Sequence, residues 1–351
     1  MLETFTHQLS AAQTLTSAQT AQAVELLTDE NIPAAVKADF LIALARKGET
    51  PGEIAAFAAA LREKSVTAPI DAAWRGTRAI LDIVGTGGDR LGTFNISTTS
   101  ALVCAAAGVA VVKHGNRAVT SKSGSADVLE ALGIRIDLTP AEAARSLREK
   151  NFAFFFAPNF HPAFKHIAAA RKLCAERGQR TIFNFLGPLL NPARPSAMVV
   201  GVPCAELCAP LAQVLQSLGV RRGMVVTGKI RDRKPESGDA LDELSTLGEN
   251  FVAEFHPDRD LTTSVLTLEH FPLQPARLED LQGGDKFQNA EITRAILRGG
   301  DRGPKRDAVL LNAGAALRVA GKAGTLADGW KLAGETIDSG AALAKLTELA
   351  G

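Results

Sequence analysis

Polar and apolar positions near the N-terminus of the chain recur with the period of amphipathic helices. Thr16 and Gln19 have the spacing of a capping box. Pro33 can open a second helix, because proline is tolerated at the first helical position. The sequence Thr50-Pro51-Gly52-Glu53 combines an N-cap, a first-turn proline and a capping-box glutamate. The pattern predicts a small helical bundle that ends near residue 70.

Farther along, short apolar runs alternate with helical patterns, which is typical of a mostly parallel sheet covered by helices. Strands are predicted at 79–84, 109–112, 134–138, 153–157, 197–202 and 223–227. Helices are predicted near 98–107, 126–132, 161–176, 205–218, 307–320 and 326–349, with another that begins at Thr139. The polar segment 229–241 is predicted to be a mobile loop. The predicted fold class is therefore α/β, with a helical domain at 1–72 and a larger α/β domain at 73–351.

Composition and charge argue against several classes of function. The chain has 351 residues, 46% of them hydrophobic and 22% charged, which is enough to bury a substantial core. A net charge of +1 and 5% aromatic residues argue against a nucleic acid or a membrane surface as partner. The longest apolar run, Ala101–Val112, is too short to cross a bilayer as a helix. The four cysteines form no CxxC pair, and the N-terminus lacks the apolar core of a signal peptide, so we expect a cytoplasmic protein.

A glycine-rich turn, Gly85-Thr86-Gly87-Gly88-Asp89, follows the first predicted strand. Glycines let backbone N–H groups approach phosphate oxygens, and a helix that begins near Ser97 directs its N-terminus toward the same space. The turn matches neither a P-loop nor GxGxxG. Taken alone, it is equally typical of a tight connection between a strand and a helix, so its meaning depends on the neighbouring loops.

Those loops are rich in cations and hydroxyl groups. Lys113-His114-Gly115-Asn116-Arg117 follows the next strand, and Ser121–Asp127 opens the next helix. In parallel sheets, ligands bind beyond the carboxyl ends of the strands, so this pattern favours a small polyanionic ligand. Asp242 and Glu243 are adjacent acids, and such pairs usually face solvent. Opposite a diphosphate, however, their carboxylate oxygens would suit Mg²⁺. His161 and His166 lack the HExxH spacing, so no zinc site is expected.

Together these segments resemble the anthranilate phosphoribosyltransferase family, in order and over nearly the whole chain. The matching stretches are KGETP (47–51), DIVGTGGD (82–89), GTFNIST (92–98), VKHGNRAVTSKSGSADVLEALG (112–133), HPAFKHIAAARK (161–172), RTIFNFLGPLLNP (180–192), LDELS (241–245) and LNAGAALRVAG (311–321). The resemblance implies transfer of a 5-phosphoribosyl group from 5-phosphoribosyl diphosphate (PRPP) to the amine of anthranilate, in tryptophan biosynthesis. It also implies Mg²⁺, two ions per subunit, a homodimer, and a helical domain rejoined by a segment near 165–190.

The resemblance further implies a set of site residues. PRPP would be held by Gly85, Gly88, Asp89, Thr93, Asn95, Ile96, Ser97, Thr98, Lys113, His114, Gly115, Asn116, Arg117, Ala118, Val119, Thr120, Ser121 and Ser125. Anthranilate would be held by Gly85, His114, Asn116 and Arg171. Arg171 lies in a basic helical segment, and residues of such a segment are usually exposed at the surface. Magnesium would be held by Ser97, Asp242 and Glu243. No strong general base is expected, because the acceptor is a neutral arylamine.

Two departures and two alternatives qualify this interpretation. Thr227-Gly228 stands where the family has His-Gly, and Ala240 stands where it often has Gly. Pyrimidine nucleoside phosphorylases share the fold and a similar Lys-His-Gly region, but Asn116, the NIST segment and the Asp242–Glu243 pair favour PRPP. A non-catalytic nucleic-acid-binding relative on the same scaffold is the second alternative, disfavoured by the charge balance.

Overall fold

The computed structural model describes residues 1–118, 122–231, 233 and 240–351. The predictions for Val119, Thr120 and Ser121, and for most of the 229–241 loop, lie outside the described residues.

The N-terminal part of the chain folds into packed helices. These are α1 (Leu2–Ser10), α2 (Ser17–Thr28), α3 (Ala34–Lys47), α4 (Pro51–Glu63) and the short α5 (Ala72–Gly76). The capping boxes predicted at Thr16 and Thr50 are both formed, so local side-chain chemistry sets where α2 and α4 begin. Helix α1 packs on α3 and α2 packs on α4, which buries their apolar faces. Helix α1 was not predicted from the sequence.

The rest of the chain is built around a mixed sheet. Its strands are β1 (Ile80–Gly85), β2 (Ala110–Gly115), β3 (Phe152–Phe156), β4 (Ala197–Gly201), β5 (Arg222–Lys229), β6 (Ala240–Leu241), β7 (Asn250–His256) and β8 (Arg259–Leu266). The order across the sheet is β3-β2-β1-β4-β5-β7-β8, and β6 pairs with the end of β5. The first five strands are parallel, whereas β6, β7 and β8 join antiparallel. The mostly parallel α/β architecture is thus confirmed, and the antiparallel extension was not predicted.

Further helices cover the sheet. They are α6 (Ile96–Ala106), α7 (Ser125–Ala131), α8 (Pro140–Lys150), α9 (Ala157–Phe160), α10 (Ala168–Glu176), α11 (Phe183–Leu186), α12 (Cys208–Ser217), α13 (Lys286–Leu297), α14 (Pro304–Val319), α15 (Leu326–Asp338) and α16 (Ala341–Ala350). Short 3-10 turns lie at Pro162–His166, Gly187–Leu190, Ala205–Leu207 and Leu278–Leu281. The predicted helix at 326–349 is in fact two helices, because Gly340 adopts a φ of +81° between them.

The strand predicted at 134–138 is wrong. Ile134, Ile136 and Leu138 alternate as in a strand and are buried, but the segment pairs with no strand of the described residues and connects α7 to α8. Its apolar side chains fill the core beneath those helices, so burial produced the alternating pattern without a hydrogen-bonded ladder.

The helical bundle and the sheet share an apolar core. Ile167 and Ala170 belong to the same buried cluster as α1 to α4, and α10 packs on α3. That cluster continues into β4 and α12 through residues such as Met198 and Leu211. The segment around α10 therefore packs with the N-terminal helices, while the domain boundary near residue 72 stays a prediction.

The glycines that end three parallel strands define one edge of the sheet. Gly85 of β1 is paired in register with Gly201 of β4, and Gly115 ends β2 beside them. The loops that follow these strands carry the candidate site residues. Within the described parts of the chain, no helix combines the length and the apolar character that a membrane crossing requires.

Candidate active site

Asp242 lies directly against the glycine-rich turn. The amide of Gly87 donates a hydrogen bond to Oδ2 of Asp242 at 2.5 Å. A Cβ atom on Gly85 would overlap with the Asp242 carboxylate, and one on Gly201 would overlap with the Asp242 backbone carbonyl. The absence of side chains at the ends of β1 and β4 is therefore what lets the segment after β6 come close to the turn.

Glu243 lies at the start of α6. The backbone N–H of Ser97 donates to Oε1 of Glu243 at 2.9 Å. N–H groups in the first turn of a helix have no acceptor within the helix, so the Glu243 carboxylate satisfies one of them. The two acids that were adjacent in sequence are thus held by two different segments, the turn after β1 and the N-terminus of α6.

The acidic pair is electrostatically unfavourable without a cation. Burial, and secondly repulsion from Asp89, raises the pKa of Asp242 to about 7. Burial and the charge of Asp242 raise the pKa of Glu243 well above its ordinary value, while Lys113 acts in the opposite direction. Three carboxyl groups therefore face one small region, and a bound cation would remove their mutual repulsion.

These residues fit a hard divalent cation that is shared with a phosphate. Among the described residues, no group of three or more His, Cys, Asp or Glu side chains is arranged around a single metal position. Asp242, Glu243 and the hydroxyl of Ser97 would supply part of a coordination shell. Mg²⁺ suits such a site, because it usually keeps several waters and takes substrate phosphate oxygens in place of an all-protein cage.

Lys113 is the buried cation of the site. Its side chain is 2% exposed, and its Nζ donates to the carbonyl oxygen of Ile83 at 2.8 Å. Burial lowers the pKa of Lys113, whereas Asp82 and Glu243 counteract that effect. Asp82 is itself buried, which raises its pKa to about 6, and Asn191 donates to its Oδ2 at 2.8 Å. The Lys113 amine is thus held against β1, with the carboxyl groups of Asp82 and Glu243 near enough to favour its charged form.

Two helix N-termini meet beside Lys113. The loop that precedes α6 is joined to the loop that precedes α7, because Nδ2 of Asn95 donates to the carbonyl oxygen of Ser123 at 3.2 Å. Gly115 lies so close to Ser125 that a Cβ atom would overlap with its hydroxyl. The first N–H groups of both helices are consequently near each other, an arrangement that suits an anion.

The structure brings most of the predicted site residues to this edge, with differences in their contacts. Arg117 is the main exception, since its guanidinium pairs with Glu130 at 2.9 Å and with Asp127 at 3.1 Å on α7, and these two carboxylates raise the pKa of Arg117. Asp127 also accepts from the N–H of Ala118, so the described start of this loop is attached to α7. The remaining predicted PRPP residues, namely Gly88, Thr93, Ile96, Thr98, His114 and Asn116, lie in or beside the turn after β1, the start of α6 or the end of β2.

An aromatic row that sequence reasoning missed runs from His114 toward Arg171. The Nε2 atoms of His114 and His161 are 3.2 Å apart, and burial lowers the pKa of these residues to about 3 and about 4. The ring of His161 contacts Phe164, which packs edge-on against Phe183. The guanidinium carbon of Arg171 lies 5.3 Å from the Phe183 ring centroid. The aromatic residues at positions 161–164 and 183 could have suggested such a row. No local sequence pattern, however, indicates that these two segments contact each other.

The departures from the family pattern fit the local structure. Thr227 is fully buried, and its hydroxyl donates to the carbonyl oxygen of Leu241 at 3.3 Å. Ala240 is buried in β6, where it pairs with Lys229. Thr227 therefore connects β5 to the residue that immediately precedes Asp242.

Comparison with known proteins gives a consistent result. Residues 77–343 match the α/β domain of the glycosyl transferase family, and residues 3–65 match the helical bundle domain of that family. The anthranilate phosphoribosyltransferase of Lacticaseibacillus paracasei is 49% identical over 89% of this chain and 86% of its own length. Anthranilate phosphoribosyltransferase 2 of Streptomyces coelicolor is 46% identical over 93% and 92%.

Solved structures agree. The anthranilate phosphoribosyltransferase of Thermus thermophilus superposes with a TM-score of 0.87 at 41% identity, covering 99% of this chain and 98% of the other. The Saccharomyces cerevisiae enzyme in complex with PRPP and Mg superposes with a TM-score of 0.85 at 28% identity, covering 99% and 96%. The fold, the order of the site segments and the relatives lead to one assignment: this chain belongs to the anthranilate phosphoribosyltransferase family.

Proposed function

We propose that this protein transfers the 5-phosphoribosyl group of PRPP to the amine of anthranilate, giving N-(5-phosphoribosyl)anthranilate and diphosphate in tryptophan biosynthesis. The observation that supports the proposal best is the meeting of Asp242 with the turn at Gly87 and of Glu243 with the start of α6. It combines, at one edge of the sheet, backbone donors for a phosphate with hard oxygen ligands for its cation.

The donor diphosphate is assigned to the turn after β1, Lys113 and the two helix N-termini. Gly87 and Gly88 have φ values of +78° and +91°, a conformation that presents successive backbone groups on one side of a turn. Lys113 supplies a charge that stays in place during the reaction, since its Nζ is held by the Ile83 carbonyl. The other PRPP contacts are proposed as the resemblance implies them, including Ser121 outside the described residues.

Ser97, Asp242 and Glu243 are assigned to magnesium, with two ions per subunit. These three residues would hold magnesium, which would supply positive charge against the negative charge that develops on the leaving diphosphate. The acidic pair supports this assignment, because both carboxyl groups have raised pKa values and would become fully ionised beside a cation.

Anthranilate is assigned to the aromatic row, with its carboxylate at Arg171. Arg171 is exposed, although desolvation by neighbouring protein atoms lowers the pKa of its guanidinium, and it forms no ion pair with any described residue. Its guanidinium contacts the Phe183 ring, which holds a planar bidentate donor next to a surface suited to an aromatic acceptor. Gly85, His114 and Asn116 would line the side of the pocket nearest to the ribose.

The chemical step then follows from charge and position. The anthranilate nitrogen forms a bond to C1 of the ribose while the bond from C1 to the diphosphate oxygen breaks, and the electron pair leaves with diphosphate. The nitrogen, which is positively charged after the attack, then releases one proton to water. Lys113 and the N–H groups at the two helix starts stabilise the negative charge on the leaving group. Arg171 and Asn116 place the neutral amine near C1, which reduces the entropic barrier. His114 and His161 are neutral at physiological pH, and no strong general base is assigned.

The direct test is to mix the protein with PRPP, Mg²⁺ and anthranilate and to follow the loss of anthranilate fluorescence. We expect turnover that depends on all three components. Phosphorolysis of pyrimidine nucleosides, measured in parallel, addresses the related phosphorylases, and salt-dependent binding of single-stranded DNA addresses a non-catalytic relative. Activity in either of those assays without phosphoribosyl transfer would contradict the proposal. We also propose a cytoplasmic homodimer, which sedimentation of the purified protein and fractionation of cells would test.

A further inference from the structure

The segment 281–285 packs along the loop that precedes α6. The N–H of Phe94 donates to the carbonyl oxygen of Leu281 at 3.0 Å, and the N–H of Gly283 donates to that of Gly92 at 2.9 Å. Thr93 and Gln282 form an antiparallel bridge between these bonds. The loop 92–95 is thus attached to a second segment that is far away in sequence.

Glycine at positions 283 and 284 makes this close packing possible. A Cβ atom on Gly283 would lie 2.5 Å from Oδ1 of Asn289 and 2.7 Å from Cα of Phe94. On Gly284, a Cβ atom would overlap with the side chain of Gln288. Gly283 therefore leaves room for Asn289 to reach the loop, and Gly284 leaves room for the side chain of Gln288.

Asn289 takes part in a chain of hydrogen bonds whose direction is fixed at both ends. The backbone N–H of Gly284 donates to Oδ1 of Asn289 at 2.8 Å. Nδ2 of Asn289 donates to Oδ1 of Asn95 at 2.9 Å, and Nδ2 of Asn95 donates to the carbonyl oxygen of Ser123 at 3.2 Å. A backbone N–H can only donate and a carbonyl can only accept, so both side-chain amides have one satisfactory orientation.

Helix α13 does not need Asn289 for its own start. Asp285 caps the helix by accepting from the N–H groups of Phe287 and Gln288, and Gln288 completes the capping box. Asn289 is only 3% exposed, and a buried amide is costly unless its polar atoms are used. Its described side-chain partners are the amide of Gly284 and the side chain of Asn95, both outside the helix.

We propose that Asn289 is a positioning residue for the donor substrate, which acts by fixing the amide orientation of Asn95. The proposal rests on the proposed function, in which Asn95 contacts PRPP. With Asn289 as donor, the Asn95 oxygen is occupied by α13, and an N–H of Asn95 not used by any described residue is available to an anion. In the reversed orientation, the Asn95 oxygen would face phosphate oxygens and repel them.

The sharpest variant is Asn289→Asp, which keeps the shape and still accepts from Gly284 but cannot donate to Asn95. We expect it to raise the Kd and the KM for PRPP at least about tenfold, the effect of losing a hydrogen bond to a charged group. Asn289→Ala should raise them a few-fold, because Asn95 is then free to adopt either orientation. The KM for anthranilate should be unchanged in both variants.

Thr293→Val is the matched control. Thr293 lies one turn farther along α13, is 1% exposed, and its hydroxyl shares a hydrogen bond with that of Thr99 at 3.0 Å. This variant removes a buried polar contact between the same two helices, while Thr99 keeps its own hydrogen bond to the carbonyl oxygen of Asn95 at 3.0 Å and the Asn95 side chain keeps both of its partners. We expect a lower melting temperature and no change in PRPP binding. Equal changes in PRPP binding for Thr293→Val and Asn289→Ala would assign Asn289 to packing alone and overturn the proposal.

A double-mutant cycle separates positioning from simple charge repulsion by the new aspartate. If Asn289 acts through Asn95, Asn289→Asp should have no further effect on PRPP binding in an Asn95→Ala background. An undiminished effect in that background would overturn the proposal. Should Asn289→Asp fail to fold, the same cycle with Asn289→Ala gives the answer. A wild-type protein that does not use PRPP would refute the proposed function, whereas an active wild type with an unaffected Asn289→Asp variant would refute only this inference.

Discussion

Asp242 accepts a hydrogen bond from the amide of Gly87 at 2.5 Å, yet its pKa is raised to about 7. The amide favours the ionised carboxylate, but burial and the nearby Asp89 disfavour it more strongly. The ligand-free protein therefore holds a carboxyl group in a place that suits it poorly without a cation. The consequences can be measured in both stability and activity.

The first prediction concerns stability in the absence of Mg²⁺ and PRPP. A carboxyl group whose folded pKa of about 7 exceeds its ordinary 3.8 binds its proton more tightly in the folded state. Its destabilising effect is absent below about pH 4, grows as the pH rises, and is complete above about pH 7. Asp242→Asn removes the charge and should raise the melting temperature at pH 8, with a gain of at least about 1 kcal/mol in unfolding free energy that disappears toward pH 4.

Calorimetry of both proteins between pH 4 and pH 8 would check this prediction. Glu269→Gln, which removes an exposed carboxylate from a loop, is the control and should leave the difference from wild type constant with pH. A stability gain for Asp242→Asn that is the same at every pH would show that the burial of its charge is not the cause.

The second prediction concerns the cation. The double variant Asp242→Asn/Glu243→Gln keeps similar shapes but loses both carboxylate ligands. The Mg²⁺ concentration needed for half-maximal turnover should rise by at least about tenfold, since loss of groups around a metal typically costs that much affinity. Turnover measured over a magnesium titration at saturating PRPP and anthranilate gives the result. Glu249→Gln, an exposed acid a few residues away, should behave as wild type, and a normal magnesium titration of the double variant would remove the metal assignment.

Sequence reasoning was most successful where a few adjacent residues determine the structure. The helix starts at Thr16, Thr50 and Thr139 are capping boxes, which depend on a side chain and a backbone N–H three residues apart. Parallel strands that end in glycine were also predictable, because a buried apolar run followed by a polar turn leaves few alternatives. In the same way, the edge of the sheet where a ligand would bind followed from topology alone.

Contacts between distant segments were not predictable. The sequence shows Asp242 and Glu243 as neighbours, but only the folded chain places one at Gly87 and the other at Ser97. The pairing of His161 with His114 depends on how the chain after β3 returns over the site, for which no local pattern exists. The strand at 134–138 was wrongly predicted for a related reason. Burial of every second side chain gives the apolar–polar alternation of a strand even where the backbone forms no hydrogen bonds with another strand.

The third prediction tests the close approach at Gly201. This glycine has no positive φ, so alanine is acceptable to the backbone, but its Cβ atom would overlap with the backbone carbonyl of Asp242. A backbone neighbour cannot move as easily as a flexible side chain, so Gly201→Ala should lower the unfolding free energy by about 1–3 kcal/mol. Urea denaturation measures this change. The control is Gly52→Ala in the first turn of α4, where an added Cβ atom would meet only the Thr50 hydroxyl, at an ordinary contact distance of 4.0 Å, and it should leave stability unchanged or slightly higher.

The fourth prediction concerns the acceptor. Arg171 is assigned to the anthranilate carboxylate, and a charge-assisted hydrogen bond of this kind is worth about 1.5–3 kcal/mol. Arg171→Ala should therefore raise the KM for anthranilate by about 10- to 100-fold. The KM for PRPP should stay the same, because the guanidinium lies over Phe183, and neither residue is among the assigned PRPP contacts. Initial rates with each substrate varied separately provide the two constants.

Lys172→Ala is the matched control for the acceptor site, since Lys172 is the next residue, is exposed, and carries the same charge. If the general positive potential of α10 attracted anthranilate, both variants would raise its KM to a similar extent, and the effect would fade with added salt. If Arg171 binds the carboxylate directly, only its variant changes, and Arg171→Lys recovers part of the affinity, because an ammonium keeps the charge but not the bidentate geometry. Unchanged anthranilate kinetics in Arg171→Ala would place the carboxylate elsewhere in the pocket.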